Sequence, residues 1–124
     1  MRRMKVVFMS LTGQTRKFVN KLNLETIELT PENAFRPIEE PFIIVAPTYD
    51  KEVTDILVDF IETGRNRSWF KGVAGGGNLN FGKLFGFTAK DLARDYGVPL
   101  LHLFEFQGNE KDIQILKEKV TELG

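Results

Sequence analysis

Ser10, Thr12 and Thr15 surround Gly13 in the run Lys5-Val6-Val7-Phe8-Met9-Ser10-Leu11-Thr12-Gly13-Gln14-Thr15. Three hydroxyls and free backbone N–H groups at that spacing can hold a phosphate. The apolar run ends in the hydroxyl-rich turn, and Phe18, Val19 and Leu22 follow at helical spacing. The pattern predicts a strand, a phosphate-binding loop and a helix. A helix N-terminus carries partial positive charge and unpaired N–H donors, so it favours an anion. No Lys or Arg lies between Ser10 and Thr15, and the Lys-Ser/Thr pair of a Walker loop is absent. The chemistry suggested is tight binding of a phosphomonoester rather than hydrolysis of a triphosphate. Read alone, the same hydroxyls also suit an ordinary helix cap.

Two further segments carry groups that suit a planar ring. In Pro47-Thr48-Tyr49-Asp50-Lys51-Glu52, Tyr49 offers a large π face. In Gly75-Gly76-Gly77-Asn78-Leu79-Asn80-Phe81-Gly82, consecutive glycines let backbone approach another group closely. Asn78 and Asn80 offer donors and acceptors for the polar edge of a pyrimidine-like ring. Phe81 offers a second stacking face. Each segment has a bland alternative, a half-buried loop tyrosine in one case and a long turn in the other. His102 reads as a packed or edge-strand histidine. With no other His and no Cys at matched spacing, His102 is not expected to hold a metal, and no Ser-His-Asp set follows from spacing.

The totals narrow the classes. The chain has 124 residues, enough for one domain and not comfortably for two, so residues 1–124 are read as one domain. Zero Cys excludes disulfides and thiol catalysis, so any redox chemistry must come from a cofactor. Seventeen basic residues balance 17 acidic ones, which argues against a nucleic-acid partner. No apolar run is long enough to span a bilayer. Arg2 and Arg3 precede an apolar run, but the run is short and no small-residue cleavage site follows. The expectation is a cytoplasmic protein without membrane association.

These groups need elements to position them. Strands are expected at residues 5–9, 26–29, 42–46, 70–74 and 100–106. Helices are expected at about 14–22, 55–61, 83–96 and 109–123, with an irregular connection punctuated by Pro31, Pro37 and Pro41. Gly64 and the run Gly97-Val98-Pro99 suit helix ends, and Asn109 suits an N-cap. The continuous run Phe42-Ile43-Ile44-Val45-Ala46 marks a strand buried on both faces. Alternating strands and helices predict an α/β fold. It is a flavodoxin-like three-layer sandwich, a five-stranded parallel sheet in order 2-1-3-4-5 with helices on both faces. In such sheets ligands bind beyond the carboxyl ends of the strands, at the topological switch point. That gathers the loops 10–15, 47–53 and 75–82 around one site. The cofactor-binding candidates are Ser10, Leu11, Thr12, Gly13, Gln14 and Thr15 for the phosphate. Pro47, Thr48, Tyr49, Asp50, Gly76, Gly77, Asn78, Asn80, Phe81 and Gly82 would hold the ring. Together they describe a flavin mononucleotide (FMN) site. No Gly-x-Gly-x-x-Gly follows the first strand, which argues against a dinucleotide. A receiver domain of the same architecture needs acids after strand one and an Asp after strand three. Neither is present between Met9 and Ser10 or between Val45 and Thr48.

Nearly the whole chain resembles the NrdI family of small flavodoxin-like proteins. The resemblance is carried by Lys71-Gly72-Val73-Ala74, Asn78-Leu79-Asn80-Phe81-Gly82, Phe85-Gly86 and Tyr96-Gly97-Val98-Pro99. It continues in Phe104-Glu105-Phe106-Gln107-Gly108, Asp112-Ile113 and the phosphate loop Ser10-Leu11-Thr12-Gly13-Gln14-Thr15. It implies an FMN protein serving the small, metal-containing subunit of class Ib ribonucleotide reductase. In that family reduced flavin reacts with oxygen and supplies an oxidant to a dimanganese centre, which generates a tyrosyl radical. Electron delivery to maintain that cofactor is also implied, as is an electron donor that reduces the flavin. The alternative is a general flavodoxin electron carrier, although conventional flavodoxins tend to be more acidic. One departure is the glycine-free, charged run Tyr49-Asp50-Lys51-Glu52, where many relatives carry glycines. The partner-facing surface is therefore expected to differ from theirs.

Overall fold

Val6, Val7 and Phe8 are fully or nearly fully buried, as are all five residues from Phe42 to Ala46. Residues apolar on both sides of the pleat need cover on both faces, and a parallel sheet between helix layers supplies it. The computed structural model of the protein describes residues 4–49, 51–78 and 85–123. In chain order the elements are β1 (Lys5–Phe8), α1 (Gln14–Asn20), β2 (Thr26–Glu28), β3 (Phe42–Ala46) and α2 (Lys51–Ile61). There follow α3 (Asn66–Trp69), β4 (Phe70–Gly77), α4 (Phe87–Tyr96), β5 (Leu100–Glu105) and α5 (Glu110–Leu123). The strands pair in parallel in the order β2-β1-β3-β4-β5. This is the expected flavodoxin-like order.

Side chains alternate between two cores. Val6, Phe8, Ile43 and Val45 face Phe18 and Val19 of α1 and Ile113, Leu116 and Val120 of α5. Val7, Phe42, Ile44 and Ala46 face Leu57, Phe60 and Ile61 of α2 and Ala89 and Leu92 of α4. On the first side the Phe18 and Phe104 rings stack with centroids 3.7 Å apart. On the second, Phe42 stacks on Phe70 and meets Phe60 edge-on.

Several boundaries differ from the sequence expectation. The first, second and fifth strands each end one residue early, and α1 stops at Asn20, ahead of Leu22. Helix α2 begins at Lys51, well before the apolar stripe at Ile56 that marked it. Helix α4 begins at Phe87, because Gly86 adopts a left-handed φ of 73° and starts the helix there. The short α3 had no sequence signal beyond Trp69, which packs on the second core. Gly97 ends α4 in a left-handed conformation, as its position after the apolar stripe predicts. Asn109 caps α5: its Oδ1 accepts the Asp112 N–H at 2.9 Å, and Asp112 Oδ2 accepts the Asn109 N–H at 2.9 Å. That reciprocal pair is a capping box.

The largest correction concerns the glycine run. Gly75, Gly76 and Gly77 read in the sequence as the opening of a loop but form the last three residues of β4. Side chains of the folded protein explain why they are glycines. A Cβ on Gly75 would lie 2.6 Å from the Ala89 Cβ, and one on Gly76 would lie 2.7 Å from the Phe104 ring. One on Gly77 would lie 2.8 Å from Thr48 Oγ1. The close approach inferred from the sequence is real, but its partners are α4, β5 and the segment after β3.

Candidate functional site

β1, β3 and β4 lie side by side and all point the same way, so the segments leaving their carboxyl ends converge. A cleft of about 150 Å³ opens there. Leu11, Thr12, Gln14 and Thr15 line it from the segment after β1, and Pro47, Thr48 and Tyr49 from the segment after β3. Gly76, Gly77 and Asn78 line it from the end of β4. Every one of these residues was a sequence candidate. Ser10 and Gly13 shape the first loop from behind the lining. Asp50, Asn80, Phe81 and Gly82 lie outside the described residues.

The first loop is organised around Ser10. Its Oγ accepts the Gly13 N–H at 3.1 Å and the Arg16 N–H at 3.4 Å. That leaves the hydroxyl hydrogen available as a donor. Gly13 sits at φ 91°, where a side chain would strain the turn. Thr12 is exposed and Thr15 is buried. The helix that follows has only seven residues and no side-chain cap bond. Hydroxyls and loop N–H groups, rather than a long helix dipole, are the anion-binding resources of this loop. Arg16 lies beside it and donates to the Glu28 carboxylate from Nε at 2.8 Å and Nη2 at 2.6 Å. These bonds hold the Glu28 carboxyl below its ordinary range and the guanidinium above its own.

The second loop is held from behind. Thr48 is buried, and its hydroxyl donates to the Gly76 carbonyl at 2.8 Å and accepts the Gly86 N–H at 3.1 Å. Its hydroxyl hydrogen is spent inside the protein, so it offers the cleft its surface and no side-chain donor. Tyr49 is half-buried at the cleft wall.

Sequence reasoning missed Phe106. It follows β5, lines the cleft and is 54% exposed. Its backbone is left-handed at φ 52°, and its N–H donates to the Gly77 carbonyl at 3.0 Å. A bulky residue in that region costs energy and marks a local requirement. The phenylalanine was hidden because it reads as the last apolar residue of a strand. Leu11, 51% exposed, lies on the same cleft.

None of the residues lining the cleft among those described is charged. His102 stands apart from it, on the edge strand β5, with Nε2 2.7 Å from Asp112 Oδ1. This agrees with an edge-strand histidine. Among the described residues no helix is long and apolar enough to cross a membrane.

A hydroxyl-lined loop, an uncharged cleft with aromatic walls and a switch-point location define a mononucleotide-binding flavodoxin-like protein. The chain matches the NrdI flavodoxin-like family over residues 6–118 and belongs to it. Membership implies FMN as cofactor, and the cleft fits such a molecule in kind, lined by the hydroxyl-bearing Thr12 and Thr15 and by the rings of Tyr49 and Phe106. Solved structures agree on the fold. One is a short-chain flavodoxin associated with a non-canonical PDU bacterial microcompartment, at 21% identity and a TM-score of 0.66, covering 99% of this chain and 97% of that one. Another is the two-electron reduced flavodoxin of Megasphaera elsdenii, at 15% identity and a TM-score of 0.62, covering 96% and 98%.

Proposed function

We propose that this protein is a cytoplasmic, single-domain FMN flavoprotein that serves the small subunit of a class Ib ribonucleotide reductase. It would activate or maintain the dimanganese–tyrosyl radical cofactor of that subunit. The observation that carries the reading is the family match across nearly the whole chain. When bound, FMN supplies the redox chemistry, passing electrons to oxygen to furnish an oxidant or passing them to the partner directly.

The chain's own residues bind and orient. In this reading Ser10, Thr12 and Thr15, with the N–H groups of Leu11, Thr12 and Gln14, take the phosphate, while the Gly13 N–H stays on Ser10 Oγ. Tyr49 and Phe106 flank the ring, and the backbone at Gly76, Gly77 and Asn78 faces its polar edge. Asp50, Asn80, Phe81 and Gly82 are proposed to complete the ring site. No side chain needs to act as acid or base. The protein's contribution is orientation and control of solvent and oxygen access.

The test is reduction of the purified holoprotein under anaerobic conditions, then mixing with oxygen and the manganese-loaded small subunit. Tyrosyl radical, read by electron paramagnetic resonance, is the expected result. Electron transfer to unrelated acceptors without radical formation would identify a general flavodoxin instead. Mass spectrometry of released cofactor should show FMN, and stoichiometric FAD would refute the site.

A further inference from the structure

Thr88 lies on α4, 39 residues from Tyr49, and does not line the cleft. It is nevertheless bonded twice to Tyr49. Its Oγ1 accepts the Tyr49 N–H at 3.3 Å and donates to the Tyr49 carbonyl at 3.2 Å. The residue is 6% exposed, so no solvent competes freely for either bond. One hydroxyl therefore clamps both backbone polar groups of the residue that forms the cleft wall. The adjacent Thr48 hydroxyl ties the same loop to Gly76 and Gly86. The start of α4, from Gly86 to Thr88, is thus the fixed point against which the loop after β3 is set.

We propose that Thr88 is a positioning residue for the ligand site, acting through Tyr49. It presets the loop so that the Tyr49 ring already stands at the cleft wall before a ligand arrives. The inference rests on the FMN reading of the site. Without the clamp, both backbone polar groups of Tyr49 must find other partners, and the loop populates arrangements in which the Tyr49 ring leaves the cleft wall. Affinity then falls by the fraction of molecules in the competent arrangement.

The experiment compares wild type, Thr88→Val and Thr88→Ser in the full chain, with FMN as ligand. Valine keeps the shape and removes both bonds, whereas serine keeps the hydroxyl. Thr88→Val should weaken FMN about three- to tenfold, the scale of a lost net hydrogen bond. It should also shift the visible absorption band of the bound flavin and reduce its fluorescence quenching. Thr88→Ser should restore affinity and spectrum. Tyr49→Ala keeps the backbone N–H and carbonyl that Thr88 holds and removes only the ring, so in that background the Thr88→Val effect on FMN affinity should shrink to the part the ring does not carry. Wild-type affinity and spectrum in Thr88→Val would overturn the proposal. So would a serine variant as impaired as the valine one, or a full Thr88 effect in Tyr49→Ala. If Thr88→Val does not fold, the same comparison is made with Thr88→Ala. A wild-type protein that fails to bind FMN would refute the function itself, and this inference with it.

Discussion

A Cβ built on Gly75 falls 2.6 Å from the Cβ of Ala89 and 3.1 Å from Leu103 Cδ2. The carboxyl end of β4 is thus in direct contact with α4, with no room for a methyl group. Gly75→Ala should therefore push α4 outward. Overpacking of this kind costs about 1–3 kcal/mol, read as a lower urea midpoint. An unchanged midpoint would mean that α4 yields freely. Because Gly76 and Gly77 line the cleft, the variant should also weaken FMN.

The hydroxyl of Thr12 is exposed on the first loop. Thr12→Ala should weaken FMN more than riboflavin, since only FMN carries a phosphate. A lost hydrogen bond to a charged group is worth roughly 1.5–3 kcal/mol, or about ten- to a hundredfold in affinity. Calorimetry with both ligands measures this. Equal losses would make Thr12 a structural residue of the loop.

Phe106 should behave in the opposite way. Phe106→Ala removes a flat surface at the ring end of the cleft, so FMN and riboflavin should weaken by the same factor. Ring stacking of about 0.5–1.5 kcal/mol corresponds to about two- to tenfold. Thermal stability should hardly change, because the side chain is half exposed and alanine relieves little of the left-handed backbone strain. A loss confined to FMN would contradict this placement of the ring.

The Arg16–Glu28 pair predicts a pH dependence. Glu28 has a lowered carboxyl pKa, chiefly through the hydrogen bonds from Arg16. A group depressed in the folded state contributes stability above its unfolded pKa. That contribution is lost as pH falls through the lower, folded value. Urea midpoints measured below the ordinary carboxylate value of 4.5 should therefore drop less steeply in Glu28→Gln than in wild type. The difference should be modest and should shrink in high salt, because both side chains reach solvent. Identical acid limbs would show that the pair adds nothing.

Much of the architecture was legible because its signals are local. The β-branched run from Phe42 to Ala46 announces a strand buried on both faces whatever surrounds it. Asn109 reads as an N-cap because it immediately precedes an apolar helical stripe, while its reciprocal partner Asp112 emerged only in the structure. The hydroxyls around Gly13 declare their loop because a turn brings near neighbours together. What sequence could not supply depends on contacts between residues far apart in the chain. Gly75, Gly76 and Gly77 read as a loop by propensity, yet Ala89, Phe104 and Thr48 make glycine the residue that fits a packed strand. Phe106 reads as a strand residue, yet a left-handed turn and a bond to Gly77 bring it to the cleft. Thr88 looks like any threonine near a helix start, and only the fold brings its hydroxyl to both backbone polar groups of Tyr49. Backbone propensity and hydrophobic period act over a few residues, so they determine which elements form and in what order. Which side chain meets which across the sheet is decided by tertiary packing, where close contacts and buried hydrogen bonds outweigh local preference.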